Sequence, residues 1–303
     1  MGSSLKDKVA IVTGSGTGIG KAIALAMAEE GAKLVLNNRS PQGPESSALV
    51  AKQITDAGGK AIAVFGDVSS FKFGEELVKA AVDTYGRVDI LVNNAGIDVP
   101  RMVWNMSEDE WDKCVDVLLK GTFNCTRFAA GRMREQKWGR IINMTSTAWL
   151  GAVGHANYSA AKAGIVGFTY GVAREVGRYA VTCNCITPTA GTRMTLTDEV
   201  RAGMKRRLDA GLITQEYYEE MTNPPAPDTV PPLILYLCSD AGIKVNGQLF
   251  RVHGGRLSLY SVPQEVKSIY RKDGLWSIEE LEELMPKTLL VDYTNPAPPE
   301  AVK

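Results

Sequence analysis

Seven short runs of β-branched and aliphatic residues recur along this 303-residue chain, separated by amphipathic stretches. The runs are residues 9–13, 34–36, 61–65, 90–92, 141–144, 181–186 and 249–252. Strands that read as continuous apolar runs and are separated by crossover helices indicate a parallel sheet covered on both faces. The alternation therefore predicts an α/β fold of the doubly wound Rossmann type, with a seven-stranded parallel sheet and helices on both faces.

Glycines mark where the first amphipathic stretches end. Stretches 21–30, 45–57 and 70–85 are followed directly by Gly31, Gly58 and Gly86. Glycine is the residue that most readily takes the left-handed conformation which ends a helix. We therefore expect three helices with these limits.

Two regions depart from the alternation. Residues 189–229 carry no strand pattern before a proline-rich segment, and an insertion of that length in a compact α/β protein is usually functional, so we predict a mobile, partly helical lid. Its methionine and tyrosine side chains suggest an apolar substrate wall, with plain packing as the alternative: Met194, Met204, Tyr217, Tyr218 and Met221. After Gly255, Ser277 and Glu280 form a capping box, and residues 295–299 read as extended or disordered. We predict one domain over 1–255 and a C-terminal extension over 256–303.

Composition excludes several classes of function. Lys plus Arg and Asp plus Glu each number 34, so no net field attracts nucleic acid or an anionic membrane. No apolar run approaches the roughly 20 residues of a membrane span, and no signal sequence is evident, so we expect a cytoplasmic protein without membrane or nucleic-acid partners. The two histidines and five cysteines lack ligand spacing, which predicts no metal site.

The first strand runs directly into a glycine-rich turn and then a helix. Glycines let the backbone approach a pyrophosphate, and the free N–H groups at the start of the helix attract its negative charge. We therefore predict a dinucleotide cofactor bound by Gly14, Ser15, Gly16, Thr17, Gly18 and Ile19.

The end of the second strand bears on the choice of cofactor. An acid that binds the adenosine ribose is expected there, but the sequence has Asn38, Arg39 and Ser40. A neutral Asn38 does not repel a 2′-phosphate, and the guanidinium of Arg39 can bind one bidentately. We assign all three residues to cofactor binding; NADP(H) is favoured and NAD(H) stays open.

Tyr158 and Lys162 are four residues apart on a predicted helix, so they share one face. A neighbouring cation lowers the pKa of a phenol and makes it usable in proton transfer. Ser146 follows the fifth strand, at the sheet edge where doubly wound folds bind ligands. We predict Ser146, Tyr158 and Lys162 as the catalytic residues.

These motifs resemble the short-chain dehydrogenase/reductase family over residues 5–255. The resemblance implies that Tyr158 transfers the proton and also contacts the cofactor, that Lys162 also binds the nicotinamide ribose, and that Ser146 orients the substrate oxygen. It further implies that the cofactor is bound by Asp67 and Val68 near adenine, by Asn94, Ala95 and Gly96 beside the first strand, and by Pro188 and Thr192 near the carboxamide. Relatives are commonly homodimers or homotetramers, which we expect here too.

Segments 182–195 and 246–250 are similar to the dehydrogenase domain of type-2 multifunctional enzymes of fatty-acid oxidation. Those domains act on 3-hydroxyacyl-CoA and carry an aspartate where this sequence has Asn38. The sequence therefore favours an NADPH-dependent carbonyl reductase acting on a ketone or secondary alcohol, with a 3-ketoacyl thioester as one candidate.

Two alternatives stay open at this point. One is a reductase or dehydrogenase of a cyclic ketone, steroid or quinone. The other is a catalytically weak NADP(H)-binding sensor, because Leu118 stands where the family usually has an asparagine that supports a water in the proton relay.

Overall fold

The computed structural model describes residues 4–43, 45–192 and 198–296, apart from the side chain of residue 199. The chain divides into two compact units, one that ends at Tyr260 and one that begins at Ser261. Residues 193–197 of the expected lid, with Met194, and the end of the proline-rich tail lie outside the described residues.

One sheet forms the centre of the first unit, with its strands in the order β3-β2-β1-β4-β5-β6-β7-β8. The strands are β1 Val9–Thr13, β2 Lys33–Asn38, β3 Lys60–Phe65, β4 Ile90–Asn93, β5 Gly139–Met144, β6 Val181–Thr189, β7 Leu249–His253 and β8 Arg256–Leu259. Strands β1 to β7 pair in parallel. The predicted doubly wound parallel sheet is confirmed.

The eighth strand was not expected. β8 pairs antiparallel with β7 across the two-residue turn Gly254–Gly255, and Gly254 has a φ of +56°. Three of its four residues are exposed, so it does not read as a buried apolar run. The first compact unit consequently runs to Tyr260; the functional boundary at residue 255 stays a prediction.

Helices cover both faces of the sheet. They are α1 Gly18–Glu29, α2 Ser47–Asp56, α3 Phe71–Tyr85, α4 Glu108–Val115, α5 Gly121–Gln136, α6 Ala156–Val176, α7 Asp198–Asp209, α8 Gln215–Thr222, α9 Pro231–Cys238 and α10 Ile278–Leu284. One apolar cluster joins α1, α2 and α9 to one face of the sheet, and a second joins α3, α5 and α6 to the other. The helix that follows the glycine turn begins three residues earlier than predicted.

The predicted lid and tail contain helices where the structure describes them. α7 and α8 lie within 189–229. In the second unit, Ser277 accepts a hydrogen bond from the backbone N–H of Glu280, whose carboxylate accepts one from the N–H of Ser277, which is the expected capping box. Among the described residues, no helix combines the length and the apolar character needed to cross a membrane.

Strand order positions the site. The chain reverses its direction of winding between β1 and β4, which lie side by side at the centre of the sheet. Ligands of open α/β sheets bind at the carboxyl ends of the strands at such a point. The glycine turn follows β1, Asn94 follows β4, Ser146 follows β5, and Pro188 lies near the end of β6, so these residues share one edge.

Candidate active site

The glycine turn is shaped by backbone contacts that exclude side chains. Gly14 and Gly18 have φ values of +63° and +54°, in the left-handed region. A Cβ on Gly14 would lie 2.8 Å from Ala95 Cα, and one on Gly16 would lie 2.3 Å from the carbonyl oxygen of Glu45. Ser15 is fully buried, and its N–H donates to the Asn37 carbonyl at 3.0 Å. These glycines leave bare backbone beside the groove.

Asn94 fastens the end of β4 to the end of β1. Its amide donates to the carbonyl oxygens of Thr13 and Gly14, at 3.0 and 3.1 Å. The N–H groups of Asn94 and Ala95 both donate to Thr13 Oγ1 at 3.0 Å. The element that the resemblance placed beside the first strand therefore holds the glycine turn in position.

A groove of about 380 Å³ runs from the glycine turn past the ends of β2 and β3. Of the predicted cofactor residues, it is lined by Gly14, Thr17, Asn38, Arg39, Ser40, Asp67, Val68, Ala95 and Gly96. It is also lined by Asn37, Gln42, Gly43, Glu45, Gly66, Ile97 and Val117, which sequence reasoning did not single out. The remaining predicted residues lie outside its walls: Ser15, Gly16, Gly18, Ile19, Asn94, Tyr158, Lys162, Pro188 and Thr192. Thr192 nevertheless sits against the turn, because a Cβ on Gly18 would lie 3.3 Å from its Cγ2.

The polar side chains of the groove differ in whether they already have hydrogen-bond partners. Asn38 Oδ1 accepts a hydrogen bond from the N–H of Ser47 at 2.8 Å, which ties β2 to the start of α2. Asp67 Oδ1 accepts from the N–H and hydroxyl of Ser69, at 2.9 and 2.8 Å. Arg39 is exposed, with no hydrogen-bond or ion-pair partner within the described ranges. The groove thus offers bare glycine backbone at one end and a free guanidinium at the other, which fits a phosphorylated dinucleotide.

Ser146 and Tyr158 meet at the carboxyl edge of β5. Ser146 and Tyr158 line the same cavity, and Ser146 Oγ accepts from the N–H of Ala148 at 3.3 Å. Lys162 is 5% exposed, with Nζ 5.4 Å from the centroid of the Tyr158 ring. That ammonium donates to the Met144 carbonyl at the end of β5, at 2.8 Å. The structure therefore brings the three predicted catalytic residues together.

Burial changes the acidity of both groups on α6. It raises the pKa of Tyr158 above its usual range, and the negative charge of Asp98 adds to the effect while the hydrogen bond from Ser146 opposes it. Burial also lowers the pKa of Lys162 to about 8. Lys162 was expected to lower the pKa of the Tyr158 phenol, but the net effect of its surroundings is to raise that pKa. Tyr158 is protonated at neutral pH, the state that a proton donor needs.

Leu118 lies in a π-helical turn, Asp116–Lys120, between α4 and α5. It is 1% exposed and packs with Ala161, Ile165 and Cys185. A Cβ on Gly96 would lie 3.1 Å from Leu118 Cδ2, so the side chain reaches the wall of the cofactor groove. An aliphatic group fills the place where the family usually has an amide.

A second cavity of about 370 Å³ contains two of the predicted catalytic residues. Ser146 and Tyr158 line one side, Asp98 and His155 another, and Met204, Tyr217 and Met221 of the lid helices close it. Three of the lid residues predicted as an apolar wall, Met204, Tyr217 and Met221, therefore line the same cavity as Tyr158. Tyr218 of that set does not line the cavity.

Asp98 and His155 are not among the predicted site residues. His155 Nδ1 lies 3.0 Å from the Val153 carbonyl, and its Nε2 is 3.2 Å from Asp98 Oδ2. Burial opposes the charged form of His155, yet the hydrogen bond and charge of Asp98 outweigh it and raise the pKa of the imidazole. The only signal for Asp98 was an acid two residues after Gly96, in the loop that follows the predicted strand 90–92.

Comparison with known proteins agrees with this geometry. Residues 8–204 match the model of the short chain dehydrogenase family. The chain is 40% identical over 290 residues to the hydroxyacyl-CoA dehydrogenase ChsB1 of Mycobacterium tuberculosis, covering 92% of this chain and 87% of that protein. It is 34% identical over 304 residues to the peroxisomal multifunctional enzyme type 2 of Mus musculus, covering 98% of this chain but 38% of that longer protein. A crystal structure of a short chain dehydrogenase from Mycobacterium avium superposes with a TM-score of 0.80 at 39% identity, covering 95% of this chain and 96% of that one.

The chain belongs to the short-chain dehydrogenase/reductase family. It is an oxidoreductase of the class that interconverts CH–OH and C=O groups with a nicotinamide dinucleotide, NAD(H) or NADP(H). The expected similarity to type-2 multifunctional enzymes is confirmed.

Proposed function

We propose that this protein is an NADPH-dependent ketone reductase that interconverts a 3-oxoacyl thioester and the 3-hydroxyacyl thioester. The observation that carries the proposal is the grouping of Ser146, Tyr158 and Lys162, with Ser146 and Tyr158 lining a cavity at the same sheet edge as the dinucleotide groove. Bound NADPH would supply the hydride. The protein's own residues would hold the ketone and supply the proton.

In this mechanism Ser146 donates a hydrogen bond to the ketone oxygen, where negative charge develops. Tyr158 donates its phenolic proton to that oxygen, and its raised pKa keeps the proton in place until charge builds up. Lys162 is fixed behind the phenol by its bond to the Met144 carbonyl, where its positive charge stabilises the phenolate that remains. Thr192, beside the glycine turn, and Pro188, near the end of β6, would contact the nicotinamide end of the cofactor.

Two residues that line the cofactor groove support the proposed preference for NADP(H). Arg39 lies there with its guanidinium free to bind a 2′-phosphate bidentately. The neighbouring Asn38 is held by the N–H of Ser47 and brings no negative charge. NAD(H) has no 2′-phosphate for Arg39 to bind, so it would be the weaker cofactor.

The choice of a thioester is supported by two findings. The cavity next to Tyr158 has methionine and tyrosine side chains on its lid side, which suit an acyl chain. A relative that is 40% identical over most of both chains is named a hydroxyacyl-CoA dehydrogenase. Homodimers or homotetramers, common in this family, are the assembly we expect.

The test follows the loss of reduced nicotinamide absorbance with NADPH or NADH, using acetoacetyl-CoA and, in parallel, a simple cyclic ketone. We expect consumption of NADPH with the thioester and much slower consumption of NADH. Turnover of the cyclic ketone alone would refute the substrate class. Cofactor binding without any turnover would refute the enzyme and favour a nucleotide sensor.

A further inference from the structure

A second hollow adjoins the cavity that contains Tyr158. It has a volume of about 420 Å³ and lies between the segment after β4 and helix α7. Pro100, Gly203, Arg206 and Arg207 line both spaces, so the hollow and the cavity are continuous. The cofactor groove shares no lining residue with it.

The hollow is basic. Arg101, Arg206 and Arg207 all line it. Arg101 is neutralised by Glu110, because Arg101 Nη2 donates a hydrogen bond to Glu110 Oε1 at 2.8 Å. Arg206 is exposed and Arg207 half-buried, and neither guanidinium has a hydrogen-bond or ion-pair partner in the part of the chain that the structure describes.

Arg207 is placed at the junction of the two spaces. A Cβ on Gly154 would lie 3.3 Å from Arg207 Nη2, so the guanidinium lies directly over the loop that leads to α6. Its positive charge acts on His155 and on Tyr217, both of which line the cavity. A negatively charged group bound in the hollow can therefore be part of the same molecule whose other end lies against Tyr158.

Among the side chains that the structure describes, the acids near these arginines pair with other groups. The pairs are Asp98–His155, Glu110–Arg101, Asp209–Lys205 and Glu220–Arg251. Two guanidinium groups without acidic partners at the mouth of an apolar cavity suit a ligand with an apolar end and a phosphorylated end.

We propose that Arg206 and Arg207 bind the phosphate groups of coenzyme A while the acyl end of the same thioester lies against Tyr158. The inference rests on the proposed thioester substrate and specifies how its carrier is held. Coenzyme A carries its diphosphate and 3′-phosphate at the far end of a flexible pantetheine arm, which spans from the cavity to the hollow. Guanidinium groups bind such phosphates with paired, charge-assisted hydrogen bonds.

Binding is measured by isothermal titration calorimetry on the protein saturated with NADP⁺, so that the adenosine end of coenzyme A cannot occupy the cofactor groove. The probes are coenzyme A and pantetheine, which lacks the phosphates. The variants are Arg206→Gln/Arg207→Gln and, as a control, Arg201→Gln, an exposed arginine on the same helix that does not line the hollow.

We expect the double variant to bind coenzyme A about tenfold or more weakly, with pantetheine binding unchanged and the control like wild type. Added salt should weaken binding of coenzyme A and not of pantetheine, because exposed charge pairs are screened. Equal affinity of wild type and double variant for coenzyme A, or no binding to wild type, overturns the proposal.

A kinetic experiment separates this inference from the proposed function. Wild type and double variant are compared on acetoacetyl-CoA and on acetoacetyl-N-acetylcysteamine, a thioester without phosphate. We expect KM to rise for the coenzyme A thioester alone, with kcat unchanged. Equal KM changes for both thioesters would refute the arginine site and leave the reductase intact. Arginine-dependent binding of coenzyme A without reduction of either thioester would refute the reductase and leave the site intact.

Discussion

Asn38 serves the fold and the cofactor groove at once. Its Oδ1 accepts from the N–H of Ser47 and lies 2.5 Å from where a Cβ on Gly16 would be. An aspartate could accept the same hydrogen bond, so the fold does not require the amide. What the amide changes is charge, because a carboxylate here would repel a 2′-phosphate.

Replacing Arg39 by aspartate should move cofactor preference from NADPH towards NADH. The change removes the cation that would bind the 2′-phosphate and adds an anion that repels it. The ratio of kcat/KM for the two cofactors is the measurement. Lys60→Asp is the control, with the same change in charge on an exposed residue at the opposite end of β3. An unchanged ratio in Arg39→Asp would make Arg39 a bystander.

The rate of ketone reduction should fall as the pH rises above about 8. Burial lowers the pKa of Lys162 to about 8, so the ammonium is charged below that pH and neutral above it. Burial raises the pKa of Tyr158, so the phenol keeps its proton throughout. We expect kcat/KM to be level below pH 8 and to decline above it as the cation behind the phenol is lost.

Lys162→Arg is the variant that checks this assignment. Arginine stays charged at every accessible pH, so whatever activity it retains should not show the alkaline decline. A wild-type profile that stays level in alkaline solution, or the same decline in Lys162→Arg, would show that another group titrates.

At the scale of elements, α8 is attached to the sheet through one carboxylate. Glu220 forms an ion pair with Arg251 of β7 and lies 3.6 Å from His253 Nδ1. Thr189 at the end of β6 donates to the same carboxylate at 3.5 Å. Since Tyr217 and Met221 of α8 line the cavity, these contacts also position its lid side.

Glu220→Gln should loosen the lid. The amide cannot neutralise Arg251, so the half-buried guanidinium loses its counter-ion. We expect faster cleavage by trypsin after the arginines of α7, followed by gel electrophoresis. Glu219→Gln is the matched control, one position away on the same helix with an exposed side chain. Equal cleavage rates for the two variants would contradict an anchoring role for Glu220.

At the scale of the whole molecule, the sheet could be predicted because central parallel strands are continuous apolar runs. β1, β4 and β5 are buried at every residue. The catalytic residues could be predicted as a group because parallel strands bring their carboxyl ends to one edge. β8 could not be predicted, because its pairing depends on the Gly254–Gly255 turn and three of its four residues are exposed.

The pairing of Asp98 with His155, and the arginine hollow, could not be predicted either. Each joins residues more than 50 positions apart, and only the packing of the loop after β4 against α7 and the start of α6 brings them together. Their residue types carry no spacing that marks them as neighbours.

Truncation after Tyr260 should leave the first unit folded, whereas truncation after Gly255 should destabilise it. The three apolar clusters are all drawn from residues up to Tyr260. The shorter chain loses β8, the bond from the Tyr260 N–H to the Leu249 carbonyl, and the edge-on contact of Tyr260 with Trp149.

Calorimetry should place the Tm of the chain ending at Tyr260 near that of the full protein. The chain ending at Gly255 should melt lower, by about 2–4 °C for each kcal/mol lost. Equal Tm values for the two truncated chains would show that β8 contributes nothing to the stability of the sheet.

The central claim is that Tyr158 donates the proton in an NADPH-linked reduction. Wild type and Tyr158→Phe are compared for NADPH binding, by nicotinamide fluorescence, and for turnover of acetoacetyl-CoA, with Tyr170→Phe on the same helix as control. The account predicts unchanged NADPH binding and a turnover at least about a hundredfold lower in Tyr158→Phe, with the control like wild type. Retained turnover in Tyr158→Phe would contradict it.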